Sequence, residues 1–139
     1  MKNLIAVIIV IAALAFGAFK YINSFVALDE NVNAKWSQVL NQYKRRAELV
    51  PNLVETVKGY AAHEQKIFED VANARSKSMQ ASVDASGLSD EAKMKEFMTA
   101  QSSFGLALGR LMAVSENYPE LKANQNFLSL QSQLEGTQN

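Results

Sequence analysis

Residues Leu4 to Phe19 read LIAVIIVIAALAFGAF, 16 consecutive positions that are apolar or Gly, bracketed by Lys2 and Lys20. As a helix this run spans about 24 Å at 1.5 Å per residue, short of the roughly 30 Å hydrocarbon core of a bilayer. With Lys20 snorkelling and the helix carried on through Tyr21 and Ile22, the span reaches about 28 Å and Tyr21 falls near the headgroups. The Leu, Ile, Val and Phe residues of the run number 10. At about −0.4 kcal/mol each they favour insertion by roughly 4 kcal/mol. A soluble core helix of this length carries a polar stripe, and this run has none. Residues 1–24 are therefore read as a single-pass anchor contacting the lipid bilayer over about 4–22. Leu4, Ile8, Ile11, Phe16 and Phe19 lie in lipid, and Lys2, Lys20 and Tyr21 lie at the interfaces.

A second reading competes. A short basic start, an apolar stretch and Ala13-Leu14-Ala15 also fit a secretory signal with an A-x-A cleavage site, which would release an exported soluble ligand-binding bundle. Against cleavage, Tyr21, Ile22, Phe25, Val26 and Leu28 continue the apolar pattern without a break, so the uncleaved signal-anchor is favoured. Charge counting leaves the orientation open: Lys2 and the α-amine stand on one side, Lys20 and Lys35 on the other. The signal-like order of charge and then apolar run leans toward an extracytoplasmic body.

Composition excludes several classes. Lys and Arg total 14 against 14 Asp and Glu, which gives no basic excess for nucleic-acid binding. There is no Cys, hence no disulfide, zinc ribbon, iron–sulfur ligation or thiol nucleophile. Only 2 Pro and 6 Gly occur, too few for the turns of an all-β chain.

The rest of the chain reads as helices. Phe25, Leu28, Val32, Trp36, Val39/Leu40, Tyr43, Ala47 and Val50 recur every three or four residues, one helical face. Pro51 is expected to end that helix and open the next, because the residue before a Pro is pushed out of the α region while a Pro at the first helical position costs nothing. The second helix is expected over about 51–80, with Gly59 weakening it by about 1 kcal/mol without stopping it. Small polar residues over 81–88 read as a loop, with Ser89 the N-cap of a third helix over about 89–116. In that helix Met94, Phe97, Gln101, Phe104, Leu108, Leu111 and Ser115 form a heptad-like, coiled-coil seam. Gly105 and Gly109 form a small-xxx-small face that would admit a neighbouring backbone. Asn124 is the expected cap of a fourth helix over about 124–135. The expectation is an all-α chain: an N-terminal transmembrane helix continuing into an antiparallel three- to four-helix bundle over 25–139.

Several blocks together resemble one family. They are Ala34-Lys35-Trp36-Ser37-Gln38, Lys44-Arg45-Arg46, Leu49 to Glu64 (LVPNLVETVKGYAAHE), Ala107-Leu108-Gly109-Arg110-Leu111, Glu116 to Asn124 (ENYPELKAN) and Phe127 to Gly136. Long and collinear, they resemble the LemA family. The resemblance implies an N-terminally anchored protein of the bacterial inner membrane with an antiparallel helical bundle and no settled activity. It also implies a bundle on the cytoplasmic side, opposite to the lean from charge order, and a further long helix after the Leu-Glu-Gly-Thr block. This sequence stops at Asn139 without that helix, so an apolar groove of the bundle is expected to stay partly uncovered, surface of the kind that marks a partner site, and self-association as a homo-oligomer is expected.

Catalytic patterns are missing, and the chain is read as no enzyme, with no cofactor and no evident small-molecule substrate. His63-Glu64-Gln65-Lys66-Ile67 begins like H-E-x-x-H, but Ile67 stands where the second His ligand belongs. A Glu-x-x-His di-iron motif would need Glu where Tyr60 stands. The charged run Lys44-Arg45-Arg46 is the candidate contact for an acidic protein partner. It also reads as a basic last turn answering the helix dipole. It lies about 38 Å beyond Lys20 along a straight upright helix, far outside a Debye length of roughly 8 Å, so it feels the anchoring bilayer only where the helix bends or lies flat. Trp36 and the pair Phe97 and Phe104, with Met94 and Met98, are expected in the bundle core.

Overall fold

In a computed structural model, which describes residues 2–137, the chain is all-α, and among the described residues there is no strand. The side chains of residues 2–6 and of Val10 lie outside the described ones, those of Leu4 and Lys2 among them. Two compact units divide between Trp36 and Ser37, twelve residues later than the boundary expected at 24/25. The first unit is helix, apolar in its early part and mostly polar over 29–35. The second is a bundle with its own core.

Helix α1 runs Lys2–Lys58 and contains Pro51, so the expected stop at residue 50 is corrected. A Pro inside a helix deletes the N–H that would bond the carbonyl four residues back, here Ala47, and its ring crowds that carbonyl, at about 3 kcal/mol or more. The deficit is made good from another helix. The Arg75 Nε donates to the Ala47 carbonyl oxygen at 2.6 Å, occupying the place of the missing N–H. A hydrogen bond from a charged donor contributes about 1.5–3 kcal/mol, enough to keep the helix going.

The chain turns eight residues later than expected, over Gly59 to Glu64. Gly59 is where the helix is weakest. Folding back there lets Leu53, Val57 and Ala61, all at most 1% exposed, share a core with the next helix. That helix, α2 (Gln65–Gln80), is accordingly half as long as the 51–80 segment read from periodicity. Lys58 Nζ stands 5.7 Å from the Phe68 ring centroid, and Arg75 reaches Ala47. The two helices therefore run antiparallel.

A 3-10 turn over Ala85–Ser89 precedes α3 (Glu91–Val114). The N-cap of α3 is Asp90, not Ser89. Its Oδ1 accepts from the N–H of Ala92 and Lys93 at 3.1 and 3.2 Å. Asp84 does the same for the 3-10 turn: its Oδ1 accepts from the Ser86 hydroxyl at 2.8 Å and the Gly87 N–H at 2.9 Å. These bonds, the Ser86 one foremost, hold the Asp84 carboxyl below its ordinary value. A carboxyl depressed on folding contributes stability above its unfolded pKa of about 4, and that contribution is lost as pH falls through the lower folded value. Amide exchange at Gly87 is therefore expected to be slow at neutral pH and to accelerate selectively below about pH 4. Asp84→Asn should remove that selective acid step. If exchange at Gly87 has the same pH profile in both proteins, the capping account fails.

The seam of α3 packs as its spacing suggests. Phe97, Gln101, Phe104, Leu108 and Leu111 are buried, with Phe97 edge-on to Tyr43 at 5.2 Å. Gln101 Nε2 donates to the Ser78 carbonyl at 3.2 Å. Met98 is exposed, and Trp36 and Met94 are half-buried and outside the core cluster, so these three expected core positions are corrected. A short helix α4 (Pro119–Lys122) leads to α5 (Gln125–Glu135). Asn124 caps α5 through the Phe127 N–H and donates its Nδ2 to the Tyr60 hydroxyl at 2.9 Å. Leu121, Phe127 and Leu134 complete the core cluster.

Candidate membrane anchor and docking surface

From Val7 to Val32 the described apolar side chains are all exposed, Ile8, Ile11, Phe16 and Phe19 together with Val7, Ile9 and Leu14 among them. The helix is long and apolar enough to cross a membrane, and none of its apolar window is buried within the protein. A helix that is apolar around its circumference and covered by nothing is suited to lipid. At its end, Lys20 Nζ leans back to 5.7 Å from the Phe16 ring centroid, and Tyr21 tilts against Phe25 with ring centroids 5.6 Å apart. Beyond Tyr21, Phe25, Leu28 and Val32 remain 61%, 59% and 51% exposed. They share one helical face by their spacing of three and four residues.

The run Lys44-Arg45-Arg46 does not act as one cluster, since successive helical residues point about 100° apart. Lys44 and Arg45 are exposed, while Arg46 is half-buried. Its Nε is buried without a hydrogen-bond partner. Burial pushes its pKa down, against an opposing pull from Tyr43. Its Nη2 lies 3.9 Å from where a Cβ on Gly105 would stand.

Among the described residues no neighbouring backbone comes within 4 Å of a Cβ placed on Gly105 or Gly109. A Cβ at Gly105 would meet only that guanidinium, and one at Gly109 would meet nothing within 4 Å. Among the described residues the close approach expected from the small-xxx-small spacing is not made. Gly109→Ala is therefore expected to stabilise the bundle by about 0.5–1 kcal/mol, because Ala costs less than Gly in a helix interior. The midpoint of urea unfolding measures it, and a loss of stability would contradict the open surroundings.

The arginine that sequence reasoning passed over is Arg75. Besides capping Ala47, it stands at one end of a groove of about 540 Å³ between α1 and α2, with Val50, Pro51, Val54, Phe68 and Ala72 along it and Glu55, Lys58 and Glu69 at its edges. Glu55 and Lys58 pair at 3.0 Å. Among the described residues no carboxylate pairs with Arg75. A Pro in a helical pattern with no local compensation was the only available signal, since the missing bond is filled from 28 residues away. His63 is exposed in the turn between α1 and α2. Among the described residues no three His, Cys, Asp or Glu side chains gather as metal ligands.

The family profile described as LemA family matches residues 35–139, the bundle and the last residues before it. The chain belongs to the LemA family. Its curated relatives include the magnetosome protein MamQ 2 of Paramagnetospirillum magneticum, 31% identical over 146 residues, covering 94% of this chain and 53% of the relative. MamQ of Magnetospirillum gryphiswaldense is 30% identical over 128 residues, covering 81% of this chain and 47% of the relative. The chain thus spans about half the length of these relatives. Within this LemA-family chain, the matched region opens at Lys35 and leaves the apolar run outside it. The anchor reading rests on the composition and exposure of that run.

Proposed function

We propose that this LemA-family protein is a single-pass, membrane-anchored helical scaffold of the bacterial inner membrane that self-associates and presents its bundle to protein partners. The observation that carries the reading is the row Phe25, Leu28 and Val32, large side chains left more than half exposed just beyond the anchor. Each fully buried apolar side chain of this size contributes about 1.5–3 kcal/mol. A second copy in the same membrane brings the same row at the same height, and the two anchors impose the parallel arrangement in which the rows meet. The MamQ relatives are named as magnetosome proteins.

Light scattering of the protein in detergent is the test. The wild type is expected to run as an oligomer, and Phe25→Asp combined with Val32→Asp as a monomer. A wild-type monomer across concentrations removes the assembly part. Proteolysis of intact cells against spheroplasts assigns the membrane face: an extracytoplasmic bundle is cut in spheroplasts without lysis, a cytoplasmic one only after it.

A further inference from the structure

We propose that the groove between α1 and α2 is a docking site for an amphipathic helix of a partner protein that carries a carboxylate to Arg75. The inference rests on the scaffold reading and names the surface and the chemistry of the partner. Three observations converge on it.

The first is a cation fixed in place. The bond from Nε to the Ala47 carbonyl, made because Pro51 has no N–H to offer, holds the Arg75 guanidinium at the groove end. Its terminal nitrogens have no carboxylate partner among the described residues. A guanidinium immobilised before binding loses little side-chain entropy when an acid arrives, and its two outer nitrogens suit a carboxylate in two-point contact.

The second is the charge at the other end. Lys58 is engaged by Glu55 at 3.0 Å and lies over Phe68, so this cation is already satisfied. Glu69, on the edge, repels an acid placed near it. The place for negative charge is therefore one-sided, at Arg75.

The third is the nature of the walls. Both are helices, and the one carbonyl that Pro51 frees is taken by Arg75, so they offer no edge to which an extended peptide could pair its own N–H and C=O groups. A partner must bring a backbone that is already satisfied, which is a helix. From Val50 to Lys58 the apolar strip is about 12 Å long, two helical turns, and it takes side chains at i, i+3/i+4 and i+7.

The test displays a library of 14-residue amphipathic helices, with Leu at those spacings and all other positions randomised, against the full chain in lipid nanodiscs. Ala72→Trp, a change at an exposed position that fills the groove, serves for counter-selection. Helices that bind the wild type and not Ala72→Trp are expected to concentrate Glu or Asp at one end. Replacing that acid by Gln should weaken binding at least tenfold. Arg75→Lys, which keeps a donor for Ala47 but loses the fork, should weaken it about tenfold with the fold intact by circular dichroism. Winners with no acidic preference, or no winners sensitive to Ala72→Trp, overturn the proposal. Winners blocked instead by Phe25→Asp would overturn the groove and leave the scaffold reading standing. A monomer by light scattering that still selects acidic helices at the groove would do the reverse to self-association.

Discussion

Arg75→Ala is expected to lower the stability of the bundle by about 2–3 kcal/mol. The loss has two sources. The charged hydrogen bond to Ala47 goes, at about 1.5–3 kcal/mol. The carbonyl of a residue that is 2% exposed is then left beside a Pro that offers it nothing. In a domain of this size the change corresponds to a fall in Tm of roughly 10 °C or more. The cause is isolated by a cycle. In a Pro51→Ala background the helix bonds its own Ala47 carbonyl, so removing Arg75 there should cost less than about 1 kcal/mol. The coupling energy between the two positions should be about 1.5–2 kcal/mol. Urea unfolding followed by circular dichroism in detergent gives all four corners. If Arg75→Ala costs the same with and without the Pro, Arg75 is acting by packing its stem, and the account of why α1 passes through Pro51 is wrong.

That pair also explains where the sequence can be read and where it cannot. Signals confined to one helix are legible. The seam from Phe97 to Leu111 is buried at its expected spacing, and Asn124 caps the helix it precedes. The apolar run at the start announces itself by composition alone. Signals that depend on a distant partner are not legible. Pro51 stops a helix when only its neighbours in sequence act on it, and Arg75 reverses that outcome from another helix. Gly59 reads as tolerable because its local cost is about 1 kcal/mol. The deciding contribution is tertiary: turning there buries Leu53 and Val57 against the chain returning through Phe68 and Val71. Asp90 takes the cap from Ser89 because the 3-10 turn capped by Asp84 sets the entry one residue later. At the candidate site the basic run is visible as charge, but helical rotation separates its members and buries the Nε of Arg46. The fixed cation without a carboxylate is Arg75, and nothing in its own neighbourhood of the sequence marks it.

The largest effect on placement is expected from charges in the anchor. The apolar side chains of Leu4 to Phe19 favour insertion by roughly 4 kcal/mol, and an Arg near the centre of a span costs about 2.5–3.5 kcal/mol. Ile11→Arg removes a favourable residue of about −0.5 kcal/mol and adds that cost, which brings the balance close to zero. Ile8→Arg combined with Ile11→Arg carries it to about +3 kcal/mol, against insertion. Carbonate extraction of membranes should therefore retain the wild type in the pellet, divide the single variant between pellet and supernatant, and release the double variant. Ile8→Leu combined with Ile11→Leu, which keeps the hydrophobicity, should stay in the pellet. The bundle core lies in the other compact unit and contains none of these residues, so the released protein should keep its helical circular dichroism and its cooperative unfolding. Retention of the double Arg variant in the pellet would mean that the bundle, or an assembled neighbour, holds the protein at the membrane. The apolar run would then owe its composition to something other than lipid.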